Sequence, residues 1–191
     1  MVAPPASLSL PDIASLSSLP EETLISVLDL LFEPSVDLHT LAIPTMRSIT
    51  FTSYPELIDT LRDELLSIAQ DLHQEPDARK PLHAILGSHP RLGEKKVNSA
   101  QSAAEQAQLH SGGHGEAQRL AALNKEYEET FPGLRYVVFV NGRPRDVIMQ
   151  NMRQRIDRGD LRAEEREAIT VRPPFAVSGA LFLESFSFCQ L

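Results

Sequence analysis

Leu57, Leu61, Leu65, Ile68 and Leu72 recur at intervals of three and four residues, the period of an α-helix with one buried face. Ser53 is placed to cap that helix, and Pro55 and Glu56 suit its first turn. The same period returns elsewhere. Leu24, Val27, Leu28 and Leu31 form a stripe over residues 21–32, with Glu21 and Glu22 at the positive end and Pro34 as the stop. Leu120, Leu123, Tyr127 and Phe131 form another over 116–131, and Val147, Ile148, Met152 and Ile156 a third over 144–158. Shorter helices are expected over 78–86 and from Leu161 to about Ile169. Only residues 136–140, Tyr-Val-Val-Phe-Val before Asn141-Gly142, read as extended. With no obvious strand partner, they predict a lone buried segment in an all-α domain.

The chain has 191 residues, enough for one domain. Residues 1–20, rich in Pro, Ser and Leu, predict a partly ordered lead-in; residues 21–170 form the helical domain. Residues 171–191 form an atypical tail, because Arg172-Pro173-Pro174 breaks the helix begun at Leu161. No stretch is long and apolar enough to span a bilayer, and no secretory signal is read at Met1-Val2-Ala3-Pro4-Pro5. The single cysteine, Cys189, excludes an intrachain disulfide and a multi-cysteine zinc site. The net charge of −8 argues against a nucleic-acid partner. Residues 135–172 carry nine arginines against six acids, a local +3, so the remainder carries −11. Such a basic region could attract an anionic small molecule; the plainer expectation is that each of these arginines decorates a solvated helix face.

The chemistry-bearing residues cluster after the short helix. His89 stands before Pro90, whose ring drives the preceding backbone out of helical geometry. Gly87 and Gly93 flank the turn and would let a ligand approach the backbone. An imidazole titrates near a pKa of about 6.5 and exchanges protons at physiological pH. Further on, Ser102, Glu105 and Gln106 share one helical face. Ser102-x-x-Glu105 also has the form of a capping box, in which both side chains serve the helix end. His110 and His114 are spaced for a metal only if they share a helical turn. Ser111-Gly112-Gly113 between them reads as a loop, and no third ligand is evident. Cys189-Gln190-Leu191 is a relaxed match to the peroxisomal tripeptide of the Ser-Lys-Leu type.

Together, His89-Pro90-Arg91-Leu92-Gly93, Ser102-x-x-Glu105-Gln106, Leu123-Asn124-x-x-Tyr127 with Phe131, the 136–140 segment and Met152-Arg153-Gln154-Arg155 come in one family's order. The chain resembles the OHCU decarboxylases, which act on 2-oxo-4-hydroxy-4-carboxy-5-ureidoimidazoline; the His-Pro-Arg-Leu-Gly wording resembles the fungal branch. The resemblance implies an all-α decarboxylase that needs no metal or organic cofactor and yields (S)-allantoin and carbon dioxide in urate breakdown. It implies His89 as proton donor and Glu105 as its catalytic companion. Substrate contacts are implied at Pro90, at Ser102, Ala103, Ala104, Glu105 and Gln106, and on backbone of Val137, Val138, Phe139 and Val140. A homodimer and a peroxisomal location follow from the family's habit, the latter through an import receptor reading the final tripeptide; the cytoplasm is the alternative. In the family an arginine of the last long helix reaches the site. Here Arg172 is the residue on hand, beside two prolines. That departure motivates a second reading, an impaired helical interaction protein on the same scaffold. A metal-dependent hydrolase using His110 and His114 is a third.

Overall fold

A computed structural model describes residues 10–71, 79–93, 114–138 and 143–171, and the fold is all-α. A 3-10 turn at Ile13–Ser18, capped by the Asp12 carboxylate, precedes α1 (Glu21–Leu31). Then come α2 (Val36–Ser48), α3 (Tyr54–Gln70) and α4 (Lys80–Leu86). After these follow α5 (His114–Thr130), α6 (Arg145–Arg158) and α7 (Leu161–Thr170).

The expected stripes account for most of this. Leu24, Val27, Leu28 and Leu31 are the buried face of α1, and Leu57, Leu61 and Leu65 that of α3. Ser53 Oγ accepts from the Glu56 N–H at 3.3 Å, as the cap requires. Helix α2 packs on α1, on the 3-10 turn and on α4; α3 packs on α7 and α4; α5 packs on α6. Among the described residues, Tyr127, Phe51 and Phe131 are the largest fully buried side chains.

Three expectations need correction. Helix α2 was not among the expected elements, and Pro44 lies inside it. The ring costs one backbone bond, but Leu38, Ala42 and Met46 bury a stripe at four-residue spacing that holds the turn. Val147 is not an inward residue: it is 42 % exposed, while Ile148, Met152 and Ile156 are buried. Arg155 does not decorate a solvated face; it is 3 % exposed. The segment at Tyr136, Val137 and Val138 is buried and neither helical nor paired in a strand. Leu72 lies outside the described residues.

Candidate active site

Helix α4 ends where Gly87 N–H donates to the His83 carbonyl at 2.8 Å. A Cβ on Gly87 would stand 2.5 Å from the Gly133 carbonyl oxygen and 2.9 Å from that of His83. Only glycine lets the 131–134 turn press this closely, backbone on backbone. The Ser88 hydroxyl donates to the Ile85 carbonyl at 2.7 Å and tightens the same exit. The chain then enters the His89-Pro90 turn with its direction set.

One face of α5 holds that turn. Asn124 Nδ2 donates to the Leu92 carbonyl at 2.9 Å, both groups buried. Arg91 donates Nε and Nη2 to the two carboxylate oxygens of Glu128 at 2.6 and 2.7 Å. Arg91 first and Arg135 second hold the Glu128 carboxyl below its ordinary range. Gly93, at φ 84°, passes against Leu120. Leu120, Asn124 and Glu128 are four residues apart, so they form one ridge.

His89 is 3 % exposed, and its Nε2 is buried. Desolvation pushes the imidazole pKa down to about 4. Burial therefore favours the neutral ring at physiological pH.

The other half is the segment 136–138. The Tyr136 hydroxyl is shared between Asn151 Oδ1 at 2.7 Å and the Ile148 carbonyl at 3.2 Å. Arg155 Nη1 donates to the Val137 carbonyl at 3.0 Å, and its guanidinium lies 4.8 Å from the centre of the Tyr136 ring. The other edge of Arg155 grips Glu164: Nε donates to both carboxylate oxygens at 2.8 and 3.0 Å, and Nη2 donates to Oε1. Glu164 also accepts from the Tyr127 hydroxyl and, at 2.8 Å, from Arg158 Nη2. Burial opposes the charge on Arg155, but the Glu164 carboxylate outweighs it and raises the pKa. Burial first and the Glu164 charge second push the Tyr127 phenol well up. The fully buried Glu164 carboxylate is thus stabilised by Arg155 and Arg158, with Tyr127 donating to it.

Both halves rest on α5. Its Asn124 and Glu128 hold the histidine turn, and Tyr127 joins the Arg155–Glu164 pair while meeting the Tyr136 ring edge-on at 5.5 Å. A second buried pair ties α4 to α7. Arg79 Nη1 donates to both oxygens of Glu165 at 2.8 and 2.6 Å, and His83 Nε2 lies 2.7 Å from the same carboxylate. Arg79 Nη2 meanwhile donates to the Ala69 and Asp71 carbonyls at 2.8 and 3.1 Å.

Of the expected site residues, His89, Pro90, Val137 and Val138 fall among those described. Ser102, Ala103, Ala104, Glu105, Gln106, Phe139, Val140, His110, Arg172 and Cys189-Gln190-Leu191 lie outside them. Among the described residues no group of three or more His, Cys, Asp or Glu is disposed to hold a metal.

A family model described as OHCU decarboxylase matches residues 17–171, taking in the turn, α5 and the segment. The chain belongs to the OHCU decarboxylase family. It is a decarboxylase, a lyase of purine degradation. A comparison with curated proteins found no match.

Two buried residues beside the segment, Arg155 and Glu164, were not among the expected site residues. Arg155 sits at the spacing of Ile148, Met152 and Ile156, so its place on the inner face of α6 is readable from the period, against the usual preference of arginine for the surface. Glu164 carried no such signal, because its partners come from α5 and α6.

Proposed function

We propose that this decarboxylase converts OHCU to (S)-allantoin, with His89 delivering the proton that replaces the lost carboxylate. The observation that carries the reading is His89 itself: a buried imidazole in a turn clamped by Asn124 and Glu128, within a chain of this family.

Breaking the bond to the carboxylate releases carbon dioxide and leaves an electron pair on a ring carbon. The conjugated ring of the substrate delocalises that pair, so the reading routes no step through a metal or an organic cofactor. What the protein supplies is orientation: the carboxylate must stand out of the ring plane, and the proton must reach one face only. Glu105 accepts ureido or ring N–H groups in this scheme, while Ser102 and Gln106 pin the remaining polar edges. Pro90, Ala103, Ala104 and the backbone of residues 137–140 complete the wall.

The burial of His89 gives the proton cycle a direction. Desolvation favours the neutral ring, and the substrate carboxylate favours the charged form. A proton thus arrives with the substrate, passes to the ring carbon as the new C–H bond forms, and leaves the imidazole neutral again. General acid catalysis of this kind contributes about 10²–10⁴-fold.

The finer assignments rest on sequence. The fungal-type subtype follows from His89-Pro90-Arg91-Leu92-Gly93, the peroxisomal address and its import receptor from Cys189-Gln190-Leu191, and the homodimer from family habit. A second reading, an impaired copy serving as an interaction scaffold, is favoured by α7: it spans ten residues, Leu161–Thr170, and Pro173-Pro174 follow in the sequence. OHCU generated in situ, with product followed by circular dichroism, tests both. Rapid formation of one allantoin enantiomer supports the decarboxylation; loss of OHCU at the uncatalysed rate supports the scaffold.

A further inference from the structure

We propose that Arg155 is a positioning residue for the substrate: it holds the Val137 carbonyl so that the opposite edge of the same peptide, the Val138 N–H, is set as a donor to the ligand. The inference rests on the reading that residues 137–140 line the OHCU site.

The geometry is simple. No cis peptide bond occurs among the described residues, so the Val137 carbonyl and the Val138 N–H point in opposite directions in one plane. Arg155 Nη1 fixes the carbonyl at 3.0 Å. The N–H is thereby turned away from Arg155, with no freedom to rotate unless that bond breaks. A cation at the carbonyl end also polarises the peptide and strengthens its N–H as a donor. A carboxylate or ring carbonyl of the substrate suits such a donor.

Arg155 is itself over-determined. Its Nε and Nη2 are spent on Glu164, which Tyr127 and Arg158 hold in place, so Nη1 cannot swing without dismantling a buried network. The plane of Arg155 is further braced on the Tyr136 ring, one residue before the peptide it positions. A lysine could pair with Glu164 but has no fork to reach Val137 at the same time.

The test compares Arg155→Lys with Arg79→Lys, a buried arginine of similar exposure that ties α4 to α7 and touches no residue of the 136–138 segment in the bonds described above. Thermal unfolding is measured first, then kcat and KM for OHCU at a temperature where each variant is folded. Arg155→Lys is expected to raise KM about tenfold with kcat within about twofold, the size of one lost hydrogen bond to a polar ligand. Arg79→Lys is expected to lose thermal stability with KM unchanged. Val138→Pro removes the N–H while keeping the Val137 carbonyl as the acceptor of Arg155, and is expected to raise KM likewise; it tests the donor half of the assignment if Arg155→Lys does not fold. An unchanged KM in folded Arg155→Lys or Val138→Pro overturns the assignment, as does an equal rise in Arg79→Lys. If the unaltered protein does not accelerate OHCU loss, the functional reading fails and this inference falls with it. If it does and the variants match it, the positioning role alone is lost.

Discussion

Asn124, midway along α5, donates its side-chain amide to the main-chain carbonyl of Leu92 at 2.9 Å, three residues beyond His89. The histidine therefore takes its place from a helix remote in sequence. Asn124→Leu keeps the bulk but leaves the Leu92 carbonyl buried without its donor. The expected cost is about 1–3 kcal/mol of stability. Because the turn that loosens carries His89, kcat is expected to fall roughly tenfold with KM less affected. Urea unfolding and steady-state kinetics check the two parts separately.

Burial of neutral His89 makes stability depend on acidity. The unfolded imidazole titrates near 6.5, the folded one at about 4. Between those values the unfolded chain binds the extra proton. The stabilisation is complete above pH 6.5 and is lost as pH falls toward 4, by about 3 kcal/mol in total. His89→Asn lacks this component. Its stability relative to the unaltered protein is expected to improve steadily over that window, and a constant difference between the two urea-unfolding profiles contradicts the burial.

Gly87 faces backbone on two sides. Gly87→Ala forces its Cβ against the Gly133 carbonyl, 2.5 Å away, which cannot yield as a side-chain tip would. A loss of about 1–3 kcal/mol is expected, read as a lower urea midpoint with an unchanged slope.

Val147 and Ile148 are neighbours with opposite fates. Val147→Lys is expected to stay within about 0.5 kcal/mol of the parent, because the side chain is 42 % exposed. Ile148→Lys places a charge in the core and is expected to prevent folding. Soluble yield and thermal unfolding distinguish them.

These neighbours mark what the sequence could disclose. Apolar residues repeating within one helix identify the inner face, so the stripes of α1 and α3 were legible. On α6, Ile148, Met152 and Ile156 were legible, and Val147 was assigned inward only because it is apolar and adjacent. Helix α2 was missed, although Ser35 caps it and Leu38, Ala42 and Met46 follow the helical period; Pro44 inside it weakens that local signal. The turn at His89-Pro90 was legible because a proline restricts the residue before it, a local pattern. The roles of Asn124, Glu128, Arg155 and Glu164 were not, since each is defined by a partner on another element, at a separation that no local period encodes.

The most direct test of the account is the stereochemical course of the reaction in His89→Asn. OHCU is generated in situ, and the product is followed by circular dichroism with the fold of the variant checked in parallel. The unaltered protein is expected to give one allantoin enantiomer quickly; the folded variant, a racemic product at the uncatalysed rate. A folded His89→Asn that still gives (S)-allantoin at the parental rate contradicts the role assigned to this histidine.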